Sequence, residues 1–206
     1  NIQGLPSNTW TYHIEASVHG KGTAYAVFDG HNSGDMQPYV YKTSDFGTTW
    51  TNIITDNVIG TSRNIQEDYE NENLLFLGTE FGLYITADGG SHWEKFTKNV
   101  PPVAIHFIDL QKQTNDLVLG THGRGIIIIN DISPLREITS EVLKSKLHFF
   151  SSKPMKLSDE SGFAGSFGAE TQFVGENANR SPQIKYLLPK LHTFGKMSME
   201  IKNSKG

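Results

Sequence analysis

The stretch "TSDFGTTW", residues 43–50, separates two runs of alternating apolar residues, and a second copy, "TADGGSHW", follows at residues 86–93. The two aspartates, Asp45 and Asp88, lie 43 residues apart. The turn chemistry explains the fixed offsets. An aspartate carboxylate can accept from backbone N–H groups further along the turn and close it. Gly47 and Gly90 can take the positive φ that a side chain resists. The hydroxyls of Thr43, Thr49 and Thr86 can tie strand ends together. Trp50 and Trp93 open the next strand and can cover the turn with a large apolar face. The octet therefore reads as a hairpin lock. Its aspartates read as structural rather than as catalytic or calcium ligands, because a calcium site needs more oxygen ligands than one aspartate supplies.

The 43-residue period extends beyond the octet. "GTEFGLYIT" (78–86) realigns with "GTHGRGIII" (120–128), and Asp131 stands 43 residues after Asp88. Strand signals dominate: 23–30, 38–45, 73–80, 82–89, 115–123 and 125–131 are short, rich in β-branched or aromatic residues, and bounded by Gly, Asn or Asp. Four strands in roughly 40–45 residues is the size of one propeller blade. The expectation is an all-β chain with three four-stranded blades of a partial β-propeller at about 10–52, 62–97 and 103–147. The third is degenerate, lacking Gly and Trp at the octet offsets after Asp131. The one helix candidate is 134–147, which opens with Pro134. "IIII" (126–129) reads as a buried strand, "QEDYENEN" (66–73) as an acidic solvated turn, and Trp10, Trp50 and Trp93 as packing residues. His106, alternating with apolar neighbours, reads as a core or channel-lining histidine.

Beyond residue 150 the texture changes. Residues 1–141 carry a net charge of −9 and residues 142–206 a net of +5. Such a shift marks a domain boundary near 140–160. The expected organisation is a partial propeller over 1–150, a Gly/Ser/Asn-rich linker over 151–182, and the first strands of a truncated β-sandwich over 183–206, from the alternation in 183–189 and 196–202.

S/T-x-D-x-G-x-S/T-W is the Asp-box, or bacterial neuraminidase repeat. The first octet matches it fully, and the second has His92 in place of the last hydroxyl residue. Asp-boxes occur in sialidases, xyloglucan-type endoglucanases, sortilin-type receptors and photosystem assembly factors. The wider segments 24–50, 74–93 and 116–139 resemble the C-terminal blades of large bacterial sortilin-like repeat proteins labelled "glycosyl hydrolase". "FVGENANRSPQIKYLLP" (173–189) resembles the start of the β-sandwich that follows the propeller there. The resemblance covers about 10–206 and implies an exported protein, periplasmic or extracellular. It also implies a chain that is a piece of something longer, with the remaining blades of the parent as partners.

Propeller geometry implies where a site would lie. With strands running outward from the axis, the octets lie on the face of the first and third turns. The second turns lie on the opposite face, where propellers usually bind ligands. Those turns, 28–38, 78–82 and 120–125, carry Asp29, His31, Asp35, Glu80, His122 and Arg124. Three readings compete. The tips can be ordinary solvated turns. They can form a ligand surface for a polyanion, a carboxylate or a peptide terminus, with Arg124 as a fork donor. They can hold a catalytic or metal site using Asp29, His31, Glu80 and His122, in which a carboxylate pair does acid/base work on a glycosidic bond. A sialidase would need an arginine cluster on this face, and Arg63 and Arg136 are not on these turns. No GxSxG or P-loop pattern is present. The leading expectation is a binding or scaffold segment. A glycoside hydrolase part and a purely structural ring-closing segment are the alternatives.

No cofactor and no metal are expected, and cysteine is absent. The net charge of −4 argues against a nucleic-acid surface. No apolar run reaches the length of a membrane helix.

Overall fold

The computed structural model describes residues 2–152, 183–190 and 193–202. The chain divides into two compact units, Asn1–Ile138 and Thr139–Gly206. The first holds three antiparallel sheets and is propeller-like. β1 (Trp10–Ala16), β2 (Ala24–Gly30), β3 (Asp35–Thr43) and β4 (Thr51–Asn52) pair in chain order. β5 (Ser62–Glu67), β6 (Leu75–Thr79), β7 (Gly82–Thr86) and β8 (Glu94–Phe96) repeat that order. The third sheet has three strands, β9 (Ile105–Gln111), β10 (Asp116–Thr121) and β11 (Ile126–Ile129).

Alternation along the strands packs the sheets face to face. In β6, Leu75 and Leu77 turn to one side and join Tyr25, Val27 and Val40 of the first sheet, with Ile65, Tyr84 and Trp93. Phe76 turns to the other side and joins Ile105, Ile108, Leu110, Leu117 and Leu119 of the third sheet. Each such leucine, fully buried, contributes about 1.5–3 kcal/mol. The first strands stand next to one another, β5 against β1 on one side and β9 on the other. Gly78 permits the closest approach, since a Cβ there would lie 2.6 Å from the Ile105 carbonyl oxygen.

The octets lock the third-to-fourth-strand turns. The backbone N–H and hydroxyl of Thr49 donate to Asp45 at 2.8 and 2.7 Å. The Thr43 hydroxyl donates to Asp45 and accepts from the Gly47 N–H, whose φ is 84°. In the second octet, Thr86 bridges Asp88 and the Gly90 N–H in the same way. Asp88 accepts from the backbone N–H of His92 and pairs with its ring Nδ1. Each carboxylate thus grips the residue four positions on.

Several expectations need correction. The third unit has no fourth strand among the described residues and does not extend as sheet to 147. After β11, Asp131 takes a positive φ of 51° and accepts from the N–H and hydroxyl of Ser133. Pro134 then opens the short helix α1 (Ser133–Arg136). At the position 43 residues after Trp93 stands Arg136, whose guanidinium grips the fully buried Asp68 through Nε and Nη2. That grip carries the chain away from β11. The expected helix over 134–147 is two short ones, α1 and α2 (Ser140–Lys144). Residues 126–129 form a half-exposed strand: Ile127 and Ile129 pack on the core, while Ile126 and Ile128 are 72% and 56% exposed. The segment 66–73 is not simply solvated, because Glu67 and Asp68 are buried. Glu67 accepts from the hydroxyls of Ser17 and Tyr25 and from the Val18 N–H, joining the first two sheets. Trp93 packs, but Trp10 is exposed.

In the second unit, Thr139 caps α2 by accepting from the Val142 N–H. A two-residue ladder joins β12 (His148–Phe149) to β13 (Tyr186–Leu187). The strand expected over 183–189 shrinks to that pair. Residues 196–202 form no strand: Met197, Met199 and Ile201 are exposed, and no described strand pairs with them. Most of the expected linker, 153–182, lies outside the described residues.

Candidate functional site

The three second turns fall at one end of the first unit, where β1, β5 and β9 begin. Each of these first strands breaks register there. The breaks lie between Thr11 and His13, between Ser62 and Asn64, and at Gly120/Thr121 opposite Phe107 and Ile105. Tyr12, Arg63 and His106 are the residues left over, one per sheet. A bulge residue is unpaired and its side chain is re-aimed. Here all three are aimed at one another. The Arg63 guanidinium lies over the Tyr12 ring, 5.1 Å from its centroid. A 3.2 Å hydrogen bond joins the Tyr12 hydroxyl to His106 Nδ1. The His106 ring stacks on His122 at 5.6 Å and 24°.

Arg63 connects this set to two of the expected carboxylates. Its Nη1 donates to Asp29 at 2.5 Å and its Nη2 to Glu80 at 2.7 Å. Asp29 is only 5% exposed and also receives the His31 backbone N–H, with His31 Nδ1 at 2.6 Å. Arg63 is not on a second turn, so position in the chain alone does not bring it to this face. The structure places it between two of those turns. Burial works against its charge, but the bonds to Glu80 and the charge of Asp29 outweigh that and raise its pKa. His106 moves the other way: burial, then Arg63 and His122, lower its pKa, with Glu80 opposing.

The other expected residues are distributed around this centre. His31 opens a short 3-10 turn, His31–Ser33, beside Asp29. Asp35 faces its own strand, accepting from the Tyr39 hydroxyl at 2.7 Å and the Gln37 N–H. Burial and that bond push the Tyr39 hydroxyl up to about 12. His122 is exposed. Arg124 is also exposed, and its side chain makes no hydrogen bond or ion pair with the described residues. Three buried polar atoms flank Arg63 without a partner in the structure: Thr61 Oγ1, Ser62 Oγ and Asn64 Oδ1.

Asp29 and Glu80 both accept from one guanidinium. Tyr12, His106 and His122 provide ring faces and hydrogen-bonding edges. Among the described residues, no group of three His, Asp or Glu side chains is close enough to hold a metal ion. No described helix is long and apolar enough to cross a membrane.

No family model and no curated protein matches the chain. Solved structures resemble it in fold. The Niastella koreensis GH74 enzyme aligns with a TM-score of 0.50 and 17% identity, over 59% of this chain and 21% of that one. The GH74 xyloglucanase from Xanthomonas campestris aligns at 0.48 and 13% identity, over 69% and 25%. YCF48 bound to D1 peptide aligns at 0.41 and 16% identity, over 61% and 40%. At these identities the likeness concerns the fold alone. The chain spans about a fifth of the length of the Niastella enzyme.

Proposed function

We propose that this chain is a ligand-binding segment of an Asp-box β-propeller in an exported, sortilin-like protein, and that it recognises a glycan or a peptide on the face where β1, β5 and β9 begin. The observation that carries the reading is the convergence of the three bulge residues Tyr12, Arg63 and His106. Three sheets each give up one ladder position to aim a side chain at the same place. The octets and the longer segments quoted above support the family assignment, and with it periplasmic or extracellular location.

A glycan suits the site for two reasons. Exposed rings, Trp10 and Tyr12, stand on β1, where a sugar face can stack. Glu80, His31 and His122 can exchange hydrogen bonds with hydroxyl groups. Arg63 is already engaged by two carboxylates, which leaves the exposed Arg124 as the fork for an anionic group.

A second reading, part of a glycoside hydrolase, is favoured by Asp29 and Glu80 meeting at one guanidinium. The two are separated by screening the protein against a glycan and peptide panel for binding, and against the same glycans for new reducing ends. Saturable binding without turnover, lost in Tyr12→Ala and His122→Ala, supports the proposal. Turnover abolished by Glu80→Gln supports the hydrolase, and neither binding nor turnover leaves a structural segment.

A further inference from the structure

The second turn of the second sheet carries two exposed apolar side chains that the bulges do not involve: Phe81 on the turn itself, and Ile59 on the link into β5. The backbone beneath them is tied down. The Phe81 N–H donates to Thr79 Oγ1 at 3.2 Å, the Glu80 N–H to the Thr61 carbonyl at 3.0 Å, and the Ile59 N–H to the Tyr84 hydroxyl at 3.3 Å. The Phe81 ring lies against Gly60, whose φ is 82°, so closely that a Cβ there would fall 2.6 Å from the ring's Cδ2. One side of the ring is therefore held on backbone while the residue stays exposed. An apolar platform already fixed in place has little left to order when a partner arrives.

Glu80 joins this platform to the ion cluster. Both bonds from Arg63 fall on its Oε2, which leaves Oε1 to accept from a ligand. Two carboxylates, Asp29 and Glu80, share one guanidinium, so the cluster carries an excess of negative charge. At its other end Trp10, also exposed, stands across the ladder from Asp29. The complement of this surface is a cation with an apolar group on either side. We propose that this end of the first unit takes an extended segment of a partner protein in which a lysine or arginine lies between apolar residues. The cation donates to Glu80 Oε1, one apolar neighbour packs on Phe81 and Ile59, and the other packs on Trp10. A neutral sugar stacks on a ring but brings no cation to Glu80. The net charge of −9 over residues 1–141 draws a basic segment in. The inference rests on the reading of this end as a ligand face and commits that face to a peptide rather than a glycan.

The test uses a fluorescent peptide with the core Ser-Leu-Arg-Leu-Ser, capped at both ends. It is titrated into the protein at about pH 8, where an ordinary imidazole is neutral, and read by anisotropy. The expected result is saturable binding. Replacing the arginine by citrulline weakens it about tenfold, and Glu80→Gln weakens it by the same factor. The two changes together cost no more than either alone, because they remove one interaction. Phe81→Ser also weakens the peptide, while Glu94→Gln, at an exposed carboxylate of β8, leaves it unchanged. Three results overturn the proposal. No saturation at millimolar peptide, with a glycan bound through Tyr12, would keep the ligand face and give it another occupant. No saturation by peptide or glycan would remove the ligand face as well. Equal weakening in Glu80→Gln and Glu94→Gln would show diffuse attraction to an acidic chain in place of a site.

Discussion

Arg63 and Tyr12 meet across two sheets, the guanidinium 5.1 Å from the ring centroid, and both are residues that their own ladders leave unpaired. The contact is a cation–π pair between bulges. It links the Asp29–Arg63–Glu80 ion cluster to the Tyr12–His106–His122 stack, so the carboxylate side and the imidazole side of the face share one anchor.

Removing that anchor should be costly. Arg63→Ala leaves Asp29, 5% exposed, without its cation. Breaking a buried pair from one side costs about 3–5 kcal/mol. Urea unfolding should show a loss of that size, while Glu80→Gln, at a more exposed carboxylate, should cost much less. Equal losses in the two variants would count against the burial argument.

Arg136 makes an analogous prediction for the end of the third sheet. Asp68 is fully buried and held through Nε and Nη2. Arg136→Met should destabilise by about 3–5 kcal/mol, and Arg136→Lys should not restore the loss, because an ammonium cannot reproduce the fork. Recovery by lysine in the same unfolding assay would show that charge alone suffices.

The octets should make stability fall in acid. The Thr49 backbone N–H and then its hydroxyl lower the Asp45 pKa. At Asp88, burial opposes, but the bonds from His92 prevail and the pKa is also lowered. A carboxylate depressed by folding contributes stability above the ordinary aspartate range and loses it as pH falls through the folded value. Asp45→Asn and Asp88→Asn should therefore flatten the unfolding midpoint between about pH 5 and pH 2. A slope unchanged by both substitutions would refute the assignment.

His106 should titrate below the ordinary imidazole range, held down by burial and by Arg63 and His122. Its folded form takes up a proton less readily than the unfolded chain. Its contribution therefore weakens the fold as pH drops from about 6.5 toward the folded value. NMR titration should show this, and His122→Asn should move the His106 midpoint upward. No movement would mean that the stacked ring exerts no charge effect.

The octets, the 43-residue period and the clustering of Asp29 and Glu80 were legible because turn chemistry fixes residue types at fixed offsets. The bulges were not. A bulge leaves no mark on composition, and the strand that holds Arg63, Ser62–Glu67, is not among the runs that stand out as strands in the sequence. Aligning the first strands would have exposed them: "YHIE" (12–15), "RNIQ" (63–66) and "HFID" (106–109) each place the bulge residue two before an isoleucine. That the third sheet has no fourth strand among the described residues had a visible signal, the missing Gly and Trp after Asp131. The long-range grip of Arg136 on Asp68 did not. The exposure of Ile126 and Ile128 was illegible because four isoleucines read alike, whichever face is covered.

The most direct test of the shared face is the affinity of the strongest ligand from the panel for Tyr12→Ala, His106→Ala and the off-site control Arg136→Met, measured by calorimetry. The account predicts a loss of about tenfold or more in both bulge variants and none in folded Arg136→Met. Unchanged affinity in Tyr12→Ala and His106→Ala would contradict a ligand site built from the three bulges.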